Sequence, residues 1–215
     1  MSFLQARDLL QSAGIPVVDS ELAHSPEQAR AAAERLGYPV VLKIESPDVQ
    51  HKSDAGGVLI GCNDAAAGYN EIVRTVRATR PDARIEGVLV QAMAANGVEM
   101  LLGVKNDPSW GPAVVLGMGG IYTEVLRDAA VRVLPIGRRE AEGMIGELRG
   151  KALLQGIRGR PAADVPALIE AVVGMGALAE SHADRLVALD VNPLLVRPAG
   201  KGVLALDALV ELKAD

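Results

Sequence analysis

The 215-residue sequence holds a single cysteine, Cys62, so no internal disulfide can form, and a reducing, cytoplasmic setting is expected. Aromatic residues are nearly as scarce. The five present, Phe3, Tyr38, Tyr69, Trp110 and Tyr122, are too few for the stacking platforms that grip single-stranded nucleic acid. Twenty-two basic residues face 27 acidic ones for a net charge of −5, with no lysine or arginine block to serve as a phosphate track. No apolar run approaches the roughly 18 residues that a membrane span needs. The first stretch, MSFLQARDLLQSAG, carries Arg7 and Asp8 inside its apolar pattern and reads as an amphipathic helix, not a signal peptide. Neither nucleic acid nor membrane is expected as a partner.

Apolar residues and glycine are abundant. An apolar fraction of 49% in a chain of this length is enough for one large domain or two modest ones, and much of the glycine (23 residues) clusters between apolar runs, where backbone must turn sharply. Residues 3–13 read as a helix ended by Gly14. Ser25-Pro26-Glu27 starts a second, which runs to Leu36 and stops at Gly37. YPVVLKIE (38–45) and GGVLIGC (56–62) read as strands of a long-tipped hairpin. A helix from Asn63 or Asp64 to about residue 80 and a strand EGVLVQAM (86–93) follow. Strands are also expected over 97–107, 111–120, TEVLRD (123–128), VRVLP (131–135), 185–196 and 203–212, with helical periodicity over 138–149 and 163–182. The alternation of helix and strand indicates an α/β (α+β) fold.

Four groups of residues carry chemistry. In PVVLKIE, Val40, Leu42 and Ile44 share one strand face, and Val41, Lys43 and Glu45 share the other. Lys43 is then either a solvated edge-strand lysine that discourages aggregation or a cation held rigidly for a phosphate. The loop HKSDAGG (51–57) adds Lys52, two glycines whose N–H groups suit an anion, and His51. That histidine is either an ordinary surface side chain or a neutral imidazole able to accept a phosphoryl group. VLGMGGIYTEVLRD (115–128) has the glycines of a phosphate loop without the Gly-Lys-Ser/Thr ending of a P-loop, and its Glu124 and Asp128 read equally as strand-end charges. Finally, a hairpin of 186–196 and 203–212 turning near Ala199-Gly200 sets Asn192 opposite Asp207, with Asp190 on the same face and Pro193 interrupting the strand. Magnesium is held by such a pair together with substrate phosphates. The plain alternative is a set of acidic groups hydrogen-bonded at strand ends.

Taken in order, GYPVVLKIESPDVQHKSDAGGV, GVEMLLGVKNDPSWGPAVVLGMGGIYTEVLRD, LLQGIRGRP and LDVNPLLV resemble the ATP-grasp subunit or domain of the ADP-forming acyl-CoA synthetases, relatives of succinyl-CoA synthetase. The resemblance covers essentially the whole chain. It implies two α/β lobes gripping ATP or ADP with Mg2+: a first lobe over about 15–92, and a second formed by about 1–14 with 93–215. It also implies that Lys43 and Lys52 meet the phosphates, Gln91 the adenine and Glu99 the ribose, and that Asn192 and Asp207 hold magnesium. His51, with Lys52 and Glu124 as further catalytic candidates, would become a phosphohistidine that passes its phosphoryl group to ADP. The CoA-binding and acyl-phosphate-forming parts are missing from the sequence, so a partner subunit or domain and a hetero-oligomeric enzyme are expected. The alternatives are a carboxylate–amine ligase of the same fold and a non-catalytic nucleotide sensor.

Overall fold

A computed structural model describes residues 3–49, 51–94, 96–120, 128–157 and 159–213. Glu124 and the expected strand from Thr123 to Arg127 fall outside the described residues. The chain divides into two compact units, Val18–Ala95 and Met1–Val17 with Asn96–Asp215.

In the Val18–Ala95 unit, local chemistry sets the helix ends. Ser25 is extended at the start of α2 (Pro26–Leu36), where its Oγ accepts from the Gln28 N–H at 3.3 Å, and Gly37 at φ +87° ends the helix. Asp64 caps α3 (Ala65–Thr79) by accepting from the Ala67 N–H at 3.1 Å. Four strands, β1 (Ser20–Ala23), β2 (Val40–Glu45), β3 (Val58–Cys62) and β4 (Gly87–Ala92), pair antiparallel in the order β1-β4-β2-β3. One face of this sheet, with Ala23, Val40, Leu42, Ile44, Val88 and Val90, packs against Ala29, Ala32 and Ala33 of α2 and Ile72 and Val76 of α3. Two sequence expectations change here. Ser-Glu-Leu-Ala (20–23) has no β-branched or aromatic residue, yet it forms β1 because it completes the open edge of β4. β2 is an interior strand, and Lys43 on it is buried, which overturns the edge-strand reading.

The second unit is built on a larger antiparallel sheet. Its described strands β5 (Val98–Asp107), β6 (Gly111–Met118), β7 (Ala129–Val133), β8 (Leu186–Val196) and β10 (Ala208–Leu212) take the order β10-β8-β5-β6-β7, and β9 (Val203–Ala205) pairs with β8. Helix α1 (Phe3–Ser12) packs on β10, α4 (Arg138–Glu147) on β7, and the apolar α5 (Val165–Ser181) across β5, β6 and β8. β8 continues through Pro193, so proline does not interrupt it. The expected strand 203–212 is instead broken at Leu206-Asp207. Asp128 is no solvated strand-end charge: it is buried, and its two oxygens accept from the Arg149 and Gly150 N–H groups at 2.9 and 2.7 Å, capping a 3-10 helix over Arg149–Gln155.

Candidate functional site

The face of the smaller sheet turned away from α2 and α3 is the polar one. Strand alternation puts Lys43 and Glu45 of β2, Gln91 of β4 and Ser20 of β1 on that side, and all four are buried. Gln91 lies directly between Ser20 and Val41 on the neighbouring strands, and Lys43 lies between Leu89 and Val58. One strand spacing of about 4.8 Å and one two-residue step of about 6.8 Å set Gln91 and Lys43 roughly 8 Å apart. Burying a lysine ammonium is costly unless an anion or hydrogen-bond acceptors meet it. Lys43 is only 7% exposed, which makes it a constrained cation and not a solubilising one.

The loop after β2 returns to the same strand. Lys52 Nζ donates to Glu45 Oε2 at 3.1 Å, a pair well shielded on both sides, while His51 is exposed. The glycine pair serves the loop itself. The Gly57 N–H donates to the Lys52 carbonyl at 2.8 Å and the Gly56 N–H to the Ser53 carbonyl at 3.0 Å, so neither is presented to an anion as the sequence suggested. Gly57 sits so close to Ile44 that a Cβ there would collide with its side chain, and the Ile44 N–H in turn donates to Gly57 at 2.7 Å.

In the other unit, β8 and β10 bring two nominated residues together. Val191 lies opposite Ala208, and the pairing extends one step, with the Asn192 N–H donating to the Asp207 carbonyl at 3.2 Å. Asp207 Oδ1 accepts from the Ala208 N–H at 3.0 Å. Asp190 lies two residues before Asn192. Burial, aided by the Asp207 charge, pushes its carboxyl above the usual carboxylate range. Among the described residues no three His, Cys, Asp or Glu side chains gather as a self-sufficient metal cage. An amide oxygen beside carboxylates is instead the hard-oxygen set that suits a magnesium ion sharing its shell with phosphates.

Glu99, near the start of β5, is exposed and lies in this second unit, whereas Gln91 lies in the first. Its surroundings explain part of the GMGG stretch. The Gly119 N–H donates to the Glu99 carbonyl at 2.8 Å, and a Cβ on Gly120, whose φ is +65°, would lie 2.8 Å from Glu99 Oε2. These glycines make room for Glu99. Glu45 and Ser20 were not nominated from the sequence. Only the alternation of β2 hinted at Glu45, and nothing local marked Ser20.

Comparison with known proteins gives this geometry its context. An ATP-grasp domain family model matches residues 1–212. The chain is 43% identical over 198 residues to an ADP-forming acetate–CoA ligase I of Archaeoglobus fulgidus, covering 91% of this chain and 29% of that protein. It is 36% identical over 212 residues to the beta subunit of an ADP-forming acetate–CoA ligase II of Pyrococcus furiosus, covering 97% and 90%. It thus spans under a third of the longer relative and nearly the whole of the separate subunit. The fold matches that of a dinucleotide forming acetyl-coenzyme A synthetase 1 of Ca. Korarchaeum cryptofilum in complex with coenzyme A and Ca-AMPCP, with a TM-score of 0.94 and 38% identity over 99% of this chain and 93% of that one. Another structure of that enzyme holds Mg-AMPPCP with its phosphohistidine segment pointing towards the nucleotide binding site; it matches at a TM-score of 0.80 and 33% identity over 99% and 92%. The α/β chain therefore belongs to the ATP-grasp family, among the ATP-grasp subunits and domains of the ADP-forming acyl-CoA synthetases.

Proposed function

We propose that the chain is the nucleotide-binding part of an ADP-forming acyl-CoA synthetase, an acid–thiol ligase, and that it exchanges a phosphoryl group between His51 and ADP. The observation that carries this is the burial of Lys43 on an interior strand, on the same face as the Glu45 that holds Lys52 next to His51. Lys43 and Lys52 neutralise phosphate charge. The Gln91 amide reads the nucleobase, roughly 8 Å from Lys43 by the strand geometry, and Glu99 accepts from the ribose hydroxyls. Asn192 and Asp207 hold Mg2+, which would shield the charge on the phosphates when bound.

His51 carries the group. As a neutral imidazole it attacks the phosphorus of an acyl phosphate formed on a CoA-binding partner subunit or domain; the P–O bond to the acyl group breaks with its electron pair, the carboxylate leaves, and the other ring nitrogen of His51 keeps its proton. In the return step the P–N bond breaks with its electron pair going back to the ring, and a terminal oxygen of ADP forms the new P–O bond. No oxidant or reductant enters. The overall reaction is acyl-CoA with ADP and phosphate to acid, CoA and ATP, and it is reversible. Because the Archaeoglobus relative carries this domain within a longer chain and the Pyrococcus one as a separate subunit, either arrangement supplies the partner.

The experiment is labelling with ATP carrying radioactive γ-phosphate, followed by peptide mapping. Acid-labile label on the peptide containing His51, absent in His51→Ala although that variant still binds ADP, is the expected result. Full turnover of His51→Ala with its partner would overturn the shuttle. Acyl phosphate formation without enzyme label would favour a carboxylate–amine ligase, and nucleotide binding without any exchange would favour a sensor.

A further inference from the structure

Glu45 is a buried carboxylate that holds Lys52, and the chemistry above leaves open what its charge does when phosphate arrives. It is 6% exposed, stands two positions from Lys43 on the same strand face, and accepts from Lys52 Nζ at 3.1 Å. A fixed negative charge there opposes an incoming phosphate. Yet an ammonium as shielded from water as that of Lys52 needs an anion beside it when no phosphate is there. Glu45 supplies a negative charge to Lys52 at 3.1 Å.

The loop backbone is anchored by bonds that do not involve the Lys52 ammonium. The Lys52 carbonyl accepts from the Gly57 N–H, the Ala55 carbonyl accepts from Thr79 Oγ1 at 3.2 Å, and Asp48 Oδ2 accepts from the Arg84 N–H at 2.8 Å. Only the flexible four-carbon stem of Lys52 has to turn for its ammonium to change partner. We propose that Glu45 is an exchangeable counter-ion. It holds Lys52 while the phosphate site is empty, yields the ammonium to a nucleotide phosphate, and recovers it as the nucleotide leaves. Glu45 thereby positions Lys52 and weakens phosphate binding so that product is released. This rests on the phosphate roles given above to Lys43 and Lys52.

Glu45→Gln keeps the side-chain shape and removes the charge. The test compares calorimetric titrations with Mg-ADP, and with pyrophosphate without added metal, in wild type and variant at low and high salt, together with the unfolding midpoint of the free protein. The variant should unfold more easily yet bind both probes about threefold or more tightly, since the Lys52 ammonium no longer has to be drawn away from a competing carboxylate. The gain should shrink at high salt. A plain structural counter-ion predicts affinity unchanged or reduced along with stability, and that result overturns the proposal. Should Glu45→Gln not fold, Lys52→Gln and the double variant Glu45→Gln/Lys52→Gln decide. With no ammonium to hold, Glu45 opposes phosphate only by direct repulsion, so the double variant should bind less than about threefold more tightly than Lys52→Gln; a gain of about threefold or more there overturns the exchange. Wild type that binds neither probe removes both this proposal and the assigned function, whereas wild-type binding with no gain in the variant removes this one alone.

Discussion

The backbone N–H of Asn192 donates to the carbonyl of Asp207 at 3.2 Å, which brings two oxygen-bearing residues side by side, Asn192 on β8 and Asp207 immediately before β10. Asp207→Asn keeps an acceptor for the Ala208 N–H and removes one negative charge. Mg-ADP should bind severalfold more weakly while metal-free ADP binds no worse. Titrations with and without magnesium check this, and equal losses in both would return the pair to a purely structural role.

Lys43→Met retains most of the buried stem and deletes the cation. Loss of a charged hydrogen bond to phosphate, worth about 1.5–3 kcal/mol, should weaken ADP binding roughly ten- to hundredfold. The salt dependence of binding should flatten at the same time. Unchanged affinity and salt dependence in a folded variant would reduce Lys43 to a packing residue.

Asp164 caps α5, where it accepts from the Ala167 N–H at 3.2 Å and from the Gly202 N–H at 2.8 Å. Chiefly through the Gly202 bond, its carboxyl is held below the usual carboxylate range. A depressed folded pKa adds stability that is present above the unfolded value of about 3.9 and is lost as pH falls through the lower folded value. Asp164→Asn, which can still cap, should therefore be less stable than wild type at pH 6, with the gap narrowing towards pH 3. Urea unfolding midpoints at both pH values test it; a constant gap would mean that the charge is irrelevant.

Gly174 of α5 lies against the carbonyl of Ala13, and a Cβ there would collide with it. Alanine gains up to about 1 kcal/mol of helix propensity over glycine. Forcing a methyl group into backbone costs about 1–3 kcal/mol. Gly174→Ala should thus lower stability, measured by chemical denaturation, whereas the same change at Gly146, which has nothing within 4 Å, should raise it.

Features with local causes were legible in the sequence. Ser25-Pro26 and Asp64 announce α2 and α3 because caps act over three residues, and the alternation in VVLKIE sorts β2 into two faces. Features set by distant pairing were not. Whether β2 lies at an edge depends on β4, more than 40 residues away, so a solvated Lys43 looked as reasonable as a buried one. β1 has no strand propensity and exists only through β4. Asp128 looked like a surface charge because its partners, Arg149 and Gly150, lie some 20 residues on. At the site, the turn near Ala199-Gly200 was enough to place Asn192 across from Asp207, but the Glu45–Lys52 pair needs the path of the whole loop, which residue order does not reveal.

The Pro16 carbonyl accepts from the Ala205 N–H at 2.8 Å, Val17 bridges to Ala205, and α1 packs on β10. Val18–Ala95 is therefore threaded as an insertion through a unit whose opening helix docks on one of its last strands. On the ribosome the inserted unit has all its strands and helices by Ala95 and can close early from contacts of modest sequence separation. The opening helix has to wait some 150 residues for its first partner, α5, and longer still for β10. During that delay the apolar side of residues 3–17 is open to the non-native contacts that chaperones suppress.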